Sequence, residues 1–341
     1  MSEVSLLRAT VDEMVARTSN EGLPEAAAFG AALQERMAAA GLDALGVAET
    51  LGGGGGTLED AAVVAGALGR WPIPSPFTEG SVAAWLAARA GLPVPSGLRT
   101  IAIAGPLVGG GNEGGPMAGA AIRGVRWARA SNSLVVLAVS ERSHVVVVPS
   151  ASVQMTLGSD VAGDPSDGVE LAGVIDSAAI APVGPSVVRA ARLRLALLRG
   201  CEVSSALERL VELARDFALT RRQFGKPISD FQVIRHALAE AAAEAFVTNS
   251  AMQRAVQVAA EDETSPVIIA AHVRAGLGAA RVTRIVHQIH GAVGITDGHP
   301  VAELVRRVAA RRLADGPDRR WEIDLASCVR DRGGPWSLLT R

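Results

Sequence analysis

Arginine, phenylalanine and glycine residues lie close together in the stretch Phe217–Gln232, which reads FALTRRQFGKPISDFQ. Arg221 and Arg222 come at the end of a predicted helix, where cations complement the negative end of the helix dipole. Gly225 and Pro227 predict that the helix stops here. Arginine is also a planar, permanently charged donor of paired hydrogen bonds, which suits it to phosphate groups. Taken alone, the stretch is better explained as a capped turn.

A second stretch, Gln288–Val301, follows some sixty residues later and reads QIHGAVGITDGHPV. The two stretches, in this order on consecutive predicted helices, resemble the acyl-CoA dehydrogenase family of flavoenzymes. A third patch, Leu33–Phe77, is similar to the helical N-terminal domain of that family. It carries the elements Ala-Ala-Gly-Leu, Glu-Thr-Leu-Gly-Gly-Gly-Gly and Leu-Gly-Arg-x-Pro-x-Pro-x-Pro-Phe.

The resemblance implies FAD as cofactor and assigns residues to it. In the Arg-x-x-Phe-Gly element of the family, the arginine reaches the pyrophosphate of the flavin in a neighbouring subunit. Arg221 matches this arginine, and Phe224 matches the packing phenylalanine. The glutamine that follows in the family matches Gln232.

The second stretch matches the part of the family that approaches the adenosine side of the flavin. Gln288 corresponds to the family's glutamine, and Gly291 and Ala292 correspond to a turn of two small residues, usually both glycine. A missing side chain in such a turn lets the backbone come close to a ligand. His290 has no carboxylate or cysteine partner in sequence, and we interpret it as a packing residue.

The family's reaction needs a carboxylate base that removes the α-proton of an acyl-CoA thioester while hydride leaves the β-carbon. The resemblance places Asp315 at the position of this base, followed by the expected Gly316. Aspartate reaches about 1.5 Å less than the usual glutamate, and Pro317 stands where the family has threonine. Some members hold the base on an earlier helix. Near Leu195 on that helix this chain has only the arginines Arg192, Arg194 and Arg199.

The periodicity predicts an α+β, mostly α, fold. Residues 1–98 are predicted to form an N-terminal helical domain and residues 186–341 a C-terminal four-helix bundle. Residues 99–185 are predicted to form a small antiparallel barrel or sandwich, because short apolar runs alternate there with turn residues. The predicted strands are Thr100–Ala104, Leu134–Ser140, His144–Pro149 and Val169–Val174.

This middle domain is shorter than the family pattern. It lacks the Thr-Glu-Pro-x-x-Gly-Ser-Asp and Trp-Ile-Thr/Ser-Asn-Gly elements that line the flavin and the thioester in the family. Trp127 lies in the neighbourhood of the second element. We interpret Trp127 as a core or rim residue, and the alternative is an indole that faces the flavin.

Composition excludes several classes of protein. The chain has 341 residues with a formal net charge of −2, so no basic excess indicates a nucleic-acid partner. Neither a leader pattern nor an apolar run of about 18 residues is found, which predicts a cytoplasmic protein without membrane association. Cys201 and Cys328 are too few for a disulfide framework or a metal site.

The sequence keeps the residues that match flavin binding in the family, but it lacks the usual glutamate at the position of the catalytic base. It resembles the short subunits of hetero-oligomeric acyl-CoA dehydrogenases of actinobacterial steroid and cholesterol side-chain degradation. The prediction is therefore an oxidoreductase subunit acting on an acyl-CoA, the non-catalytic partner in an α2β2 complex. Three alternatives stay open: a self-sufficient homo-oligomeric dehydrogenase with Asp315 as base, a flavin-free scaffold, and a flavin monooxygenase.

Overall fold

The structure is a computed structural model that describes residues 3–106, 121–171 and 179–339. Its helices are α1 (Glu3–Ser19), α2 (Ala26–Ala39), α3 (Leu58–Gly69), α4 (Phe77–Arg89), α5 (Pro185–Thr220), α6 (Gln232–Glu261), α7 (Pro266–His290), α8 (Pro300–Leu313), α9 (Asp318–Asp331) and α10 (Pro335–Leu339). Its strands are β1 (Arg99–Ala104), β2 (Ala121–Arg126), β3 (Ser133–Ala138), β4 (Ser143–Pro149), β5 (Val153–Thr156), β6 (Ser166–Leu171), β7 (Ile180–Val183), β8 (Arg222–Gln223) and β9 (Lys226–Pro227). None of the described helices is long and apolar enough to cross a membrane.

The chain divides into two compact units. The first comprises Met1–Val64 and Ile73–Leu195, and the second comprises Ala65–Pro72 and Ala196–Arg341. Helices α3 and α5 each begin in the first unit and end in the second. The finer division into three domains, 1–98, 99–185 and 186–341, stays a prediction.

The first unit confirms two local predictions about its helices. Phe29, Leu33 and Met37 lie four residues apart on one side of α2, and all three are buried, as an apolar stripe requires. Before α3, the Thr57 N–H donates to Asp60 Oδ2 at 2.8 Å, and the Asp60 N–H donates to the Thr57 hydroxyl at 3.2 Å. This reciprocal capping box satisfies two N–H groups that a helix start leaves unpaired.

The seven strands of the first unit form two sheets with one apolar core. One sheet has the order β1-β3-β4-β7 and the other β2-β6-β5. Alternate residues of their strands meet in a buried cluster, as the two-residue period of a strand requires. The cluster includes Ile122, Val125, Leu134, Val136, Val146, Val148, Val169 and Leu171.

The prediction of a wholly antiparallel strand region is wrong for one pair. β1 and β3 run parallel, with Arg99 opposite Ser133. The chain between them forms β2 in the other sheet, and a crossover of this length lets a strand return in the same direction. Strands β2, β5 and β7 are not predicted, because a register shift breaks the alternation of β2 and the other two have four residues each. The predicted strand positions 172–174 lie outside the described residues.

Trp127 is a core residue of the first unit. Its side chain has no exposed surface, and a Cβ added at Gly30 of α2 would lie 2.5 Å from its Cζ3 atom. Its backbone has a φ of 62°, a left-handed conformation that bulky residues rarely adopt. The adjacent Arg126 forms ion pairs with the buried carboxylates of Glu79 and Asp164 and with the partly buried carboxylate of Asp160. The indole therefore lies in the core, not on a surface that a flavin could face.

The second unit consists of long helices, and two of them pack closely. Helix α7 begins as predicted, because Ser265 is its N-cap and Pro266 its first residue. A Cβ added at Gly278 of α7 would lie 2.2 Å from the Thr248 hydroxyl oxygen of α6. Only four residues connect α6 to α7, so the helices are antiparallel neighbours. The start of α6 and the end of α7 therefore lie at the same end of this pair.

A double-mutant cycle tests this contact. We expect Gly278→Ala to lower the free energy of unfolding by about 1–2 kcal/mol, because the new methyl group must displace the Thr248 hydroxyl although alanine favours the helix. Removing that hydroxyl in Gly278→Ala/Thr248→Ala should recover at least about 1 kcal/mol relative to the sum of the single changes. Urea denaturation of the four proteins measures the coupling, and additive effects would contradict the close approach.

Candidate functional site

The stretch after α5 is a short hairpin, which we call the arginine hairpin (residues 221–228). Strands β8 and β9 pair antiparallel, and the Ile228 N–H closes the hairpin on the Arg221 carbonyl at 2.8 Å. Phe224 and Gly225 form the turn with φ values of 50° and 80°, the two positive angles of a hairpin turn that matches strand twist. Helix α5 therefore stops at Thr220 because the chain reverses at once.

The side chains of the arginine hairpin face outward. The Phe224 side chain is 92% exposed, and its ring lies edge to face with Phe231 at 6.1 Å. The Arg222 guanidinium donates to the Gly225 carbonyl at 2.6 Å and stabilises the turn. The exposed Arg221 guanidinium forms no hydrogen bond or ion pair with the residues that the structure describes. Arg221 is therefore a donor that can bind an anion.

The second stretch ends α7 in a turn that we call the glycine turn (Gly291–Ile295). Gly291 has a φ of 62° and a ψ of −146°, a conformation open essentially to glycine alone. No atom lies within 4 Å of a Cβ added there. The glycine is therefore required by the backbone conformation and not by close packing. Gln288, Gly291 and Ala292 are all exposed. The turn thus presents open backbone that a ligand can approach closely.

The structure connects the two stretches through a stacked pair of rings. Phe217, in the last turn of α5, and His290, the last residue of α7, have ring centroids 4.5 Å apart at 26°. The interpretation of His290 as a packing residue is confirmed, since only 5% of its surface is exposed. Burial lowers the pKa of His290, and the neighbouring histidines act in the same direction. The six residues matched to cofactor binding are all exposed: Arg221, Phe224, Gln232, Gln288, Gly291 and Ala292.

Asp315 lies in a different part of the second unit, in a buried ion pair. Its Oδ1 atom accepts a hydrogen bond from the Arg199 guanidinium of α5, and both side chains are less than a tenth exposed. A second buried ion pair lies beside it, between Glu202 of α5 and Arg311 of α8. Each of these four buried charges thus lies beside an opposite charge.

His272 of α7 lies beside this pair of ion pairs. Its Nδ1 is 3.2 Å from the Ala196 carbonyl oxygen, and its ring is 4.7 Å from that of Trp321. Burial lowers the pKa of His272, while the nearby Asp315 carboxylate acts in the opposite direction. A neutral imidazole therefore stands next to the Asp315 carboxylate.

The sequence pattern does not predict these partners. Arg199 is recognised only as a residue that cannot be the base, and the pair of Glu202 with Arg311 is missed. The available signal is the placement of Arg199 and Glu202 three residues apart in the otherwise apolar segment 195–203 of α5, because buried charges of this kind need partners from another element. The sequence likewise predicts Phe217 only as one more core residue of α5 and not as a partner of His290.

Helix α5 keeps Asp315 and the arginine hairpin apart. Arg199, which binds Asp315, precedes Arg221 by 22 residues along a continuous helix. At 1.5 Å per residue, the two positions are about 33 Å apart. A flavin bound through its pyrophosphate at Arg221 cannot place its ring beside Asp315 of the same chain. The Phe217–His290 stack therefore joins the ends of α5 and α7, and Asp315 lies at a separate position.

The sequence is similar to that of acyl-CoA dehydrogenases. Residues 189–326 match the family model described as acyl-CoA dehydrogenase, C-terminal domain. The chain is 27% identical over 336 residues to acyl-CoA dehydrogenase IpdE2 of Mycobacterium tuberculosis, covering 92% of this chain and 94% of that protein.

Two solved structures share the fold. A chain of the ChsE4-ChsE5 complex from Mycobacterium tuberculosis matches with a TM-score of 0.85 and 22% identity, covering 97% of this chain and 98% of the other. A chain of the Tcur3481-Tcur3483 steroid ACAD matches with a TM-score of 0.82 and 18% identity, covering 96% and 98%. At these identities the likeness establishes the fold, and the predicted α+β, mostly α, fold class is confirmed.

Replacing Arg199 by methionine tests the buried pair. We expect Arg199→Met to lower the free energy of unfolding by about 3–5 kcal/mol, because Asp315 would stay buried without its partner. Arg199→Met/Asp315→Leu should recover most of that loss, since no lone charge remains. The control is Arg306→Met, whose partner Asp297 is 95% exposed and whose loss should cost at most about 1 kcal/mol. Equal effects of the two arginine variants in urea denaturation would show that the Arg199 pair is not buried.

The lowered pKa of His272 predicts how stability depends on pH. At pH values between the folded and the unfolded pKa of His272, the unfolded chain binds a proton that the folded chain does not. The free energy of unfolding therefore has its full value above about pH 6.5 and falls as the pH decreases. His272→Asn keeps a donor for the Ala196 carbonyl and removes this titration. We expect the wild type to lose stability relative to the variant between pH 7.5 and 5.5, by at most about 1.4 kcal/mol per pH unit. A difference in unfolding free energy that does not change with pH would contradict the prediction.

Proposed function

Because the chain belongs to the acyl-CoA dehydrogenase family, we propose that it is a subunit of an FAD-dependent acyl-CoA dehydrogenase that completes the flavin site of a partner subunit. The observation that carries this proposal is the ion pair between Asp315 and Arg199. Asp315, at the position of the family's base, is already bound to a cation inside the protein.

The residues of the arginine hairpin and the glycine turn fit a flavin dinucleotide. Arg221 presents a free guanidinium to solvent, which suits the pyrophosphate. Gly291 and Ala292 leave the backbone open for close approach, and Gln288 and Gln232 add exposed amide groups beside them. Phe224 contributes an exposed ring at the tip of the hairpin. When bound, FAD would accept the hydride that leaves the β-carbon of the acyl-CoA.

Asp315 is poorly arranged to remove a proton from a substrate. A base must bring a free oxygen within about 3 Å of the acidic carbon's proton, and Oδ1 accepts from Arg199. Oδ2 has no hydrogen-bond partner among the described residues, yet the side chain is only 9% exposed. Arg199 itself stands on the helix where other family members hold the base. In this proposal the carboxylate at the base position is held in an ion pair, and the helix of the alternative base position supplies the arginine that holds it.

A partner subunit is also required by the distance along α5. The arginine hairpin can serve only a flavin whose reacting ring lies in another subunit, because Asp315 is about 33 Å away along the helix. Large apolar side chains are exposed on α6 and α7, which indicates a surface covered by another protein. They are Val233, Phe246, Val247 and Leu277. The similarity to a chain of the two-protein ChsE4-ChsE5 complex supports a second dehydrogenase-like subunit as that protein.

We take the substrate of this complex to be a CoA thioester, and a steroid acyl group is the specific proposal. It is supported by the similarity to a chain of a steroid ACAD, and the match covers 96% of the present chain. The partner subunit would supply the carboxylate base, and this chain would bind the dinucleotide part of the cofactor.

The visible spectrum tests the proposal. The chain is purified alone and together with a co-expressed acyl-CoA dehydrogenase-like partner, and each sample is bleached anaerobically with a steroid-CoA thioester. We expect flavin only in the complex, bleaching that Asp315→Asn leaves unchanged, and at least a tenfold loss of flavin affinity in Arg221→Leu because a charged hydrogen bond is lost. The control Arg319→Leu removes an exposed arginine of α9 and should retain flavin.

Other outcomes identify the alternatives. Flavin and bleaching in the lone chain, lost in Asp315→Asn, would make Asp315 the base of a homo-oligomeric dehydrogenase. Absence of flavin from both the lone chain and the complex would favour the scaffold.

A further inference from the structure

One side chain, His290, joins the arginine hairpin to the glycine turn. It directly precedes Gly291, and its ring stacks on Phe217 at 4.5 Å. Phe217 lies in the last turn of α5, and its carbonyl accepts a hydrogen bond from the Arg221 N–H at 2.8 Å. Among the ring pairs of the described residues, this is the one that connects the two stretches. A change at His290 therefore affects both at once.

The orientation of the His290 ring is set by neighbours on several sides. Its Nδ1 lies 2.9 Å from the Val286 carbonyl oxygen, so Nδ1 carries a hydrogen and donates within α7. A Cβ added at Gly294 would lie 2.7 Å from the His290 Cβ, so the glycine turn wraps closely around this residue. His299, the N-cap of α8, packs edge to face on the ring at 5.6 Å. The ring is thus held by the helix, the turn and the start of the next helix.

A dinucleotide that binds both stretches needs them at a constant separation, because its pyrophosphate and adenosine are covalently linked. The stack is rigid at both ends, since Phe217 belongs to α5 and His290 to α7. Loss of the ring would let the end of α5 and the end of α7 move relative to each other. Such loose support typically weakens binding without removing any direct contact to the ligand.

We propose that His290 is a positioning residue that sets the separation of the arginine hairpin and the glycine turn, and through it the affinity for a flavin dinucleotide. The inference rests on the proposed function, because the separation matters to affinity only if one flavin contacts both stretches. His290 needs no contact with the flavin for this role.

Four variants separate the ring from the hydrogen bond. His290→Asn keeps an Nδ1-like donor to Val286 and removes the ring, whereas His290→Phe keeps the ring and removes the donor. Phe217→Leu keeps apolar volume without the stack, and Phe217→Tyr keeps the stack. The control is His236→Asn, an exposed histidine of α6 near Gln232.

The first measurement is the dissociation constant for FAD of the complex stripped of flavin, followed by flavin fluorescence. We expect His290→Asn and Phe217→Leu each to weaken binding about 3- to 10-fold. The double variant should bind no more weakly than the singles, because one contact is lost in all three. His290→Phe, Phe217→Tyr and His236→Asn should bind like the wild type.

The second measurement needs no flavin and uses the chain alone. Hydrogen exchange of a peptide covering residues 221–231 reports the Ile228 amide, which is bonded to the Arg221 carbonyl across the hairpin. We expect faster exchange in His290→Asn and Phe217→Leu, and exchange at the wild-type rate in His290→Phe. A side chain of α7 would then control the order of a hairpin that follows α5.

Each result decides between positioning and simple packing. Lower unfolding stability of His290→Asn together with unchanged FAD affinity and unchanged hairpin exchange would overturn the inference. Failure of His290→Phe to restore both readouts would overturn it as well, because the ring would then not be the cause. Absence of flavin from the wild-type complex would overturn the proposed function, and hairpin exchange would still decide whether the stack couples the two stretches.

Discussion

Two buried ion pairs constrain the second unit, because a charge in the protein interior is tolerated only beside an opposite charge. Arg199 with Asp315 and Glu202 with Arg311 join α5 to the end of α8 in one register. A shift of either helix by one turn would bring like charges together. The same pairing holds the Asp315 carboxylate beside Arg199. In the proposed function, this one ion pair both stabilises the helix packing and keeps Asp315 from acting as a base.

The length of α5 has a second consequence. The helix carries the Arg199 pair near its middle and the arginine hairpin at its end, so two partial sites lie at separate positions of one chain. In the proposed function, a cofactor that uses the hairpin completes its site with residues of another subunit. The exposed Phe224 ring and Arg221 guanidinium of the hairpin, and the exposed apolar residues of α6 and α7, support that arrangement. Oligomer formation and cofactor binding are therefore linked in the proposed function.

Much of the fold follows from local rules that act within a few residues. The capping box of Thr57 and Asp60, the N-cap Ser265 and the stripe of α2 each depend on neighbours in sequence, and each is predicted correctly. The parallel pair of β1 and β3 could not be predicted in this way, because it depends on the chain leaving for another sheet and returning. Strand β2 is missed because a bulge interrupts its alternation.

The sequence by itself determined the long helices, four of the strands, the resemblance to a flavoenzyme family, and the six residues matched to the cofactor. These depend on residue types at short, constant spacing, which a chain displays before it folds. Only the tertiary structure decided that Arg199 engages Asp315, that Trp127 is buried in the core, and that His290 stacks on Phe217. Those contacts join residues 73 to 116 positions apart, or depend on packing of a whole unit, and no local pattern encodes such distances.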